Sequence, residues 1–151
     1  MQNSTSMGKF ESLSEIDVFY DMLMANKLTS QGPHGTCVEY ATAHHQYTNK
    51  YIQTSRTINS KRINSRTNTV ALLKKIKLTE LPDGLEASHL CHNKRCMSVD
   101  HIVAEPHEIN MSRNTCAYMR NLTGDKAYCS NSNPTCVRSL YQARPGKELS
   151  P

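Results

Sequence analysis

The chain has 151 residues, of which 37% are hydrophobic, and it contains no Trp and only two Phe. This length favours a single domain with a modest core, of the kind that metals, disulfides or a partner subunit commonly supplement. No run is long and apolar enough to span a membrane, and the polar N-terminal stretch lacks the apolar segment of a secretion signal. We therefore expect an intracellular protein, nuclear or cytoplasmic, with no membrane partner.

The first half of the chain is predicted to hold a helix followed by a sheet. Residues 1–11 are predicted to form a flexible tail. Ser12 and Glu15 fit a capping box, and apolar residues then recur at helical spacing until the stretch SQGPHG, which is expected to end the helix. Residues 36–76 are rich in Thr, Tyr, Val and Ile and predict an antiparallel sheet, in which TNTVALLKKIKL fits either a strand or a short helix.

Two short strands and a helix are predicted in the second half. LPDG is a turn signal, LEASHLC and VDHIVAEP predict strands, and PHEINMSRNTC predicts a helix with Pro106 near its first turn. The segment that follows is loop-rich, and residues 139–151 are expected to form a C-terminal tail. These elements predict the α+β class, as a small mixed domain over residues 12–138 that contains an antiparallel sheet.

Charge is distributed unevenly along the chain. The net charge is +5, yet no acidic residue lies between Glu39 and Glu80, an interval that carries eight basic residues. A solubilising face is the common explanation of surface charge, but a complete lack of acids favours contact with phosphates and base edges. We therefore predict a nucleic-acid-binding sheet over about residues 36–80. Its predicted contact residues are Lys50, Arg56, Lys61, Arg62 and Arg66.

Cysteines and histidines are interleaved in the second half of the chain. Without a secretion signal, this pattern favours zinc over disulfides. Cys91 and Cys96 are spaced C-x4-C and His101 follows after four more residues, which supplies three of the four ligands that tetrahedral zinc requires. Cys37 is the only cysteine upstream. The alternative is that these cysteines are small buried apolar residues.

A second possible site combines a histidine on a strand with an amide on a helix. His89 lies two residues before Cys91, so on a strand the two side chains share a face. Asn110 lies in the predicted helix that follows. An imidazole that takes a proton from water, beside an amide oxygen that binds one hard cation, suits hydrolysis of a phosphodiester. A hydrogen-bonded structural histidine is the alternative for His89.

The string ASHLCHNKRC, which continues a C-x4-C-x4-H pattern and precedes an N-x2-R pattern, closely resembles the His-Cys box homing endonucleases. They are a branch of the His-Me finger, or ββα-metal, nucleases. The resemblance spans residues 87–116, and a weaker similarity upstream, in GTCVEY and SRTIN, includes Cys37 and Arg56. It implies a ββα-metal core with structural zinc over about residues 85–136.

The resemblance also implies roles for individual residues. His89 would be the general base that activates water for attack on the scissile phosphate. Asn110 would bind the single catalytic Mg²⁺. Arg56 would stabilise the phosphate, with Arg62 and Arg66 as competing candidates. The implied ligands of the first structural zinc are Cys37, Cys91, Cys96 and His101.

The last three cysteines depart from the family pattern. The family's second zinc includes a histidine shortly after a C-x6-C pair, and Cys129 and Cys136 keep that spacing without the histidine. With Cys116 they are predicted to hold a second zinc whose fourth ligand stays open. His107 would lie about 13 Å from Cys116 along the helix axis. The remaining candidates for the fourth ligand of the second zinc are His34, His44, His45 and His92.

Arg113, on the predicted helix that carries Asn110, fits a catalytic role and a solvated or phosphate-touching role equally well.

The resemblance implies cleavage of double-stranded DNA, with the sheet in the major groove. Because one site cuts one strand, a twofold-symmetric homodimer is expected. One alternative is a zinc-stabilised DNA-binding protein without nuclease activity, against which the joint presence of His89 and Asn110 argues. Another is a zinc module that binds protein partners, which leaves the acid-free interval unexplained.

Overall fold

The computed structural model describes residues 7–32, 35–41, 51–123 and 136. Within them lie three α-helices, six β-strands and a short 3-10 turn at Val99–His101. In chain order the helices and strands are α1 (Leu13–Met24), β1 (Lys27–Gly32), β2 (Gly35–Tyr40), β3 (Gln53–Ile58), β4 (Lys61–Arg66), α2 (Thr67–Ile76), β5 (Leu85–His89), β6 (Ile102–Pro106) and α3 (His107–Thr123). The strands pair as three antiparallel ribbons, β1–β2, β3–β4 and β5–β6. The predicted α+β class is confirmed.

Helix α1 begins at the Ser12 cap that the sequence predicts, although the Glu15 side chain bonds to Glu11 and not to Ser12 as a capping box would. The Ser12 hydroxyl accepts a hydrogen bond from the Glu15 backbone N–H at 3.2 Å, and the Glu15 carboxylate accepts one from the Glu11 N–H at 2.9 Å. The first bond satisfies an N–H group that the first turn of a helix leaves without a partner, and the second holds Glu11, the residue before the cap, against the helix. One face of the helix then buries Ile16, Phe19 and Leu23 in the core.

The predicted N-terminal tail ends earlier than residue 11. The Gly8 N–H donates to the Asn64 carbonyl at 2.9 Å, and the Phe10 N–H donates to the Thr79 carbonyl at 3.0 Å. Phe10 is buried and its ring meets Phe19 edge to face, with centroids 5.7 Å apart. An aromatic ring that enters the core ties this segment down, which the tail prediction missed. Residues 1–6 and the predicted tail over 139–151 lie outside the described residues.

The interval predicted as one sheet is built differently. Helix α1 ends at Met24 and β1 begins at Lys27, both before the stretch SQGPHG, and β3–β4 is a ribbon separate from β1–β2. Residues 67–76 form α2 and not a strand, with Lys77 in the left-handed conformation at the helix end. Residues 70–73 are fully buried because α2 packs against α1, β5 and β6. A short run that is buried on every side shows no helical period, so its sequence fits a strand equally well.

Helix α3 is fastened to β6 by a buried ion pair. Arg113 on α3 is 2% exposed, and its Nε donates to Glu105 Oε2 at 2.7 Å, while Nη2 donates to Glu105 Oε1. Its Nη1 donates to Cys136 Sγ at 3.3 Å. This burial excludes the solvated or phosphate-touching role for Arg113.

No helix among the described residues combines the length and apolar character needed to cross a bilayer.

Replacing Arg113 with Leu is expected to leave the Glu105 carboxylate buried without its cation. Loss of one partner of a buried pair costs about 3–5 kcal/mol, so the free energy of unfolding in urea is expected to fall by that amount. The matched control is Arg62→Leu on the exposed side of β4, which is expected to change it by less than about 0.5 kcal/mol. Equal effects of the two substitutions would contradict the anchoring role of the pair.

Candidate active site and metal centre

Three side chains from residues 91–101 and one from far upstream, Cys37, meet at one end of the β5–β6 ribbon. The Sγ atoms of Cys37, Cys91 and Cys96 and a ring nitrogen of His101 all lie within 4.8 Å of one another. The His101 Nδ1 atom is 3.8 Å from Cys37 Sγ and 3.5 Å from Cys96 Sγ. Sulfur and nitrogen ligands of a tetrahedral zinc ion lie about 3.5–3.6 Å apart, given bonds of about 2.3 and 2.0 Å. The arrangement therefore fits zinc.

Backbone hydrogen bonds hold the segments that carry these ligands. Cys37 lies on β2, and the loop after β5 is joined to that strand by a bridge between Glu39 and Cys96 and by a 2.7 Å bond from Met97 N–H to the Val38 carbonyl. The Leu90 N–H donates to the His101 carbonyl at 2.7 Å, which closes the loop at its base. The ligands are thus brought together by ordinary strand pairing.

Without a cation, hydrogen bonds within the cluster favour a deprotonated Cys37 and a protonated His101. Hydrogen bonds from Cys91 and Cys96 hold the pKa of the Cys37 thiol well below its usual range. Hydrogen bonds with Cys37 and Cys96 raise the pKa of His101 to about 10. A zinc ion takes the place of these protons, because it binds thiolates and neutral imidazole. None of the five described cysteines forms a disulfide.

The predicted second zinc falls partly outside the described residues. Cys116 and Cys136 are buried, and Cys136 accepts the bond from Arg113, but Cys129 is not among the described residues. The described part of the chain contains one metal-ligand cluster, the group of Cys37. The second zinc and its fourth ligand therefore stay a prediction, and three of the candidate ligands, His34, His44 and His45, also lie outside the described residues.

His89, at the end of β5, is buried and held by one hydrogen bond. Its Nε2 atom lies 2.8 Å from the Cys96 carbonyl oxygen, and its ring stacks on Tyr51 with centroids 5.9 Å apart. Because a carbonyl oxygen only accepts, Nε2 carries the proton and Nδ1 keeps a lone pair. Burial lowers the pKa of His89 to about 4, so the imidazole is neutral at physiological pH.

Asn110, in the first turns of α3, is held by two residues of β5. Its Oδ1 accepts a hydrogen bond from the Ser88 hydroxyl at 2.9 Å, and its Nδ2 donates to Glu86 Oε1 at 2.8 Å. The other Glu86 oxygen lies 2.8 Å from His107 Nδ1. The bond from Asn110 holds the pKa of the Glu86 carboxyl below its ordinary value. Asn110 is thus bonded to the residue that precedes His89.

A cleft of about 300 Å³ opens beside these residues, and Tyr51, Arg66, Glu86 and Asn110 are among those that line it. Tyr51 connects the two halves of the site, because it lines the cleft and stacks on His89. The Arg66 guanidinium lies over the Tyr51 ring, 4.1 Å from its centroid. The cleft therefore combines a cation, a carboxylate and an amide, and Tyr51 connects it to the buried imidazole of His89.

The predicted nucleic-acid contact residues on the β3–β4 ribbon lie on two opposite faces. Residues directly opposite in an antiparallel pair share a face. One face is polar throughout and is formed by the pairs Gln53–Arg66, Ser55–Asn64 and Thr57–Arg62. The other face packs on the core through Ile58 and Ile63, both buried. Arg62 and Arg66 are exposed on the polar face.

Two predicted contacts lie on the core-side face. The Arg56 guanidinium donates to the Tyr40 hydroxyl and, at 2.8 Å, to the Ser55 carbonyl. Lys61 pairs with Glu11 at 3.1 Å and Glu15 at 3.0 Å. A phosphate at Lys61 would have to displace two carboxylates, so the structure gives that residue no support as a contact. Lys50 lies outside the described residues.

Sequence reasoning did not find Glu86, Ser88 or Tyr51. Glu86 and Ser88 are two residues apart on a predicted strand, so alternation alone places their side chains on one face. The sequence does not show that α3 packs on that face, and this packing places Asn110 in contact with Glu86 and Ser88. No sequence signal distinguishes Tyr51, which lies in a stretch that contains several tyrosines.

Replacing Cys96 with Ser is expected to abolish zinc binding and unfold the domain. Structural zinc contributes on the order of 10 kcal/mol at neutral pH, which is comparable with the total stability of a domain, about 5–15 kcal/mol. Circular dichroism melting with elemental analysis tests this, and chelation of the wild-type protein followed by addition of zinc is the control. A soluble Cys96→Ser protein with unchanged melting would exclude a structural zinc at this cluster.

The family comparison agrees with this geometry. A family model described as the zinc-binding loop region of homing endonuclease matches residues 25–148, which are 124 of the 151 residues. The match includes the four clustered ligands as well as His89 and Asn110. No curated protein matches the chain. With most of its length covered and a Cys₃His cluster assembled, the chain belongs to the His-Cys box homing endonuclease family.

Proposed function

We propose that the protein is a site-specific endonuclease that hydrolyses phosphodiester bonds of double-stranded DNA, with His89 as general base and Asn110 as the protein ligand of one Mg²⁺. The observation that carries the proposal is the 2.8 Å bond between His89 Nε2 and the Cys96 carbonyl, in an imidazole that stacks on Tyr51, a residue that also lines the cleft of Asn110. Family membership supports a nuclease role in general. The roles of individual residues rest on the contacts described above.

His89 meets the chemical requirements of a general base. The Cys96 carbonyl fixes the proton on Nε2, so Nδ1 is the atom that accepts a proton from water. Nδ1 has no hydrogen-bond partner among the described residues. Stacking on Tyr51 restrains the ring, which keeps the lone pair in one direction. A neutral, oriented imidazole is what proton abstraction next to a phosphate requires.

Asn110 fits a hard cation. Its amide oxygen is the kind of ligand that Mg²⁺ accepts, and Mg²⁺ commonly keeps several waters and binds through one or two protein oxygens. When bound there, Mg²⁺ supplies positive charge to the phosphate and the leaving oxygen. The Glu86 carboxylate next to Asn110 adds negative charge that favours a cation in this cleft.

The polar face of β3–β4 is proposed to meet the DNA. Its six side chains are amides, hydroxyls and guanidinium groups, which are the donors and acceptors that read base edges in the major groove. Arg66 ends this face and also lines the cleft, so it can reach a phosphate that lies at the site. This position supports Arg66, an alternative to Arg56, as the arginine that meets the scissile phosphate.

Cleavage of both strands calls for two copies of the site. A single His89–Asn110 site acts on one strand, and a twofold-symmetric homodimer places a second site on the other strand. The proposal therefore includes a homodimer that recognises a nearly palindromic sequence. If the protein is a monomer that only nicks supercoiled plasmid, the proposed hydrolysis stands and the proposed homodimer is wrong.

Replacing His89 with Ala is expected to lower Mg²⁺-dependent cleavage of a plasmid library carrying random inserts by a hundredfold or more. Loss of a general base typically costs about 10²–10⁴-fold. Gel-shift assays with the same DNA and elemental analysis check that DNA and zinc binding persist. Cleavage by His89→Ala is expected to recover in part when imidazole is added, which separates the loss of a base from misfolding.

Two outcomes of this assay would change the conclusion. Equal cutting by the wild-type protein and His89→Ala would remove His89 from the mechanism. DNA binding by a wild-type protein that cuts nothing with Mg²⁺ would establish the alternative, a zinc-stabilised DNA-binding protein without nuclease activity.

Replacing Arg62 with Gln is expected to weaken DNA binding and to make it less dependent on salt. Each phosphate contact adds about 0.9 to the slope of log K against log[salt], so loss of one contact lowers the slope by about one. The matched control is Lys74→Gln, since Lys74 pairs with Asp17 at 2.8 Å on the α1–α2 side. A slope that changes as much for Lys74→Gln as for Arg62→Gln would contradict the assignment of the polar face.

A further inference from the structure

The two ends of the Asn110 carboxamide have different chemical value at this site. The oxygen binds a hard cation, whereas the nitrogen carries two hydrogens and binds none. The two ends are nearly equal in size, so packing alone does not distinguish them. Only the hydrogen bonds around the amide decide which end faces which way.

Of the two contacts that hold this amide, one selects an orientation and the other does not. The Ser88 hydroxyl, 2.9 Å from Oδ1, can rotate to donate or to accept, so it tolerates either end of the amide. The Glu86 carboxylate, 2.8 Å from Nδ2, accepts only. A rotation of the amide by 180° would set oxygen against oxygen at this contact. Glu86 therefore forces Nδ2 toward itself and Oδ1 toward Ser88.

The Glu86 carboxylate is itself held in place. Its second oxygen lies 2.8 Å from His107 Nδ1, in the first turn of the helix that carries Asn110. Glu86 therefore bridges two residues of α3 that are three positions apart, and these share one face of the helix. Both carboxylate oxygens are engaged, so the group cannot turn away from the amide without breaking two contacts.

We infer that Glu86 is a positioning residue that orients the Asn110 carboxamide with its oxygen toward the catalytic cation. The inference rests on the proposed role of Asn110 as the Mg²⁺ ligand. Oδ1 has two lone pairs, of which the Ser88 hydroxyl uses one, so the second stays available for a cation. Glu86 acts through Asn110, and its loss reduces the fraction of molecules in which the amide is ready to bind.

The test measures Mn²⁺ binding by electron paramagnetic resonance as well as the Mg²⁺ concentration that gives half-maximal DNA cleavage. When only a fraction of molecules is competent, the apparent dissociation constant rises by the inverse of that fraction. In Glu86→Ala the Asn110 side chain can adopt the flipped amide orientation and other rotamers. The Mn²⁺ dissociation constant is therefore expected to rise by about three- to tenfold. Glu108→Ala, on the first turn of α3 and exposed, is the matched control for loss of a nearby charge.

The same substitution is then made in an Asn110→Asp background. A carboxylate has two equivalent oxygens, so no end remains to be selected, and an oxygen faces Glu86 in either orientation. Glu86→Ala relieves that repulsion in the Asn110→Asp protein, so it is expected not to weaken Mn²⁺ binding beyond the change seen for Glu108→Ala. Equal weakening by Glu86→Ala in both backgrounds would make Glu86 a metal ligand and overturn the inference. Unchanged Mn²⁺ affinity of Glu86→Ala in the Asn110 protein would overturn it as well.

Thermal melting of each variant separates orientation from folding. A Glu86→Ala protein that melts as the wild type does and binds Mn²⁺ weakly supports positioning, whereas weak binding that follows a proportionate loss of folded protein rejects it. The proposed function fails separately, when the wild-type protein cleaves no DNA with Mg²⁺. Mn²⁺ binding still tests Glu86 in that case, because it requires no cleavage.

Discussion

The hydrogen bond from His89 to the Cys96 carbonyl joins the metal centre to the candidate active site. Cys96 contributes its thiol to the four-ligand cluster and its carbonyl to His89, so one residue belongs to both. A cation that fixes the thiol also fixes the peptide group that holds the imidazole. The cluster is therefore more than a replacement for a small apolar core, because it determines which nitrogen of His89 carries the proton.

The other half of the site is fixed by a different set of contacts. Glu86 and Ser88 hold Asn110 from β5, and the buried Arg113–Glu105 pair fastens the same helix to β6. Helix α3 is thus tied to both strands of the ribbon that precedes it. These ties hold the helix against the strand pair, and they therefore restrain the position of Asn110 on α3 relative to β5, the strand that ends in His89.

Much of this arrangement could be predicted from sequence, and the failures have physical reasons. The C-x4-C-x4-H spacing predicts three of the four ligands and the strand–strand–helix order predicts β5, β6 and α3, because these signals are local, whereas Cys37 as the fourth ligand was implied by the family resemblance. Residues 67–76 were ambiguous because their four consecutive buried residues, 70–73, do not show the period of a helix with one apolar face. The contact of Phe10 with Phe19 and of Glu86 with Asn110 depends on packing between distant segments, which no local pattern encodes. The assignment of Arg62 and Arg66 to one face required the register of β3 with β4.

The ribbon β3–β4 shows how one short element serves two surfaces at once. Its core-side face buries Ile58 and Ile63, and its polar face carries three opposed pairs of hydrogen-bonding side chains. Because side chains alternate strictly along a strand, a shift of register by one residue would exchange the two faces. The core contacts that fix the register therefore also fix which arginines are presented to a ligand. Arg66, at the end of the polar face and over Tyr51, extends that surface to the cleft beside Asn110. In the proposed nuclease, Arg66 would then lie between the surface that recognises DNA and the cleft in which the phosphodiester is hydrolysed.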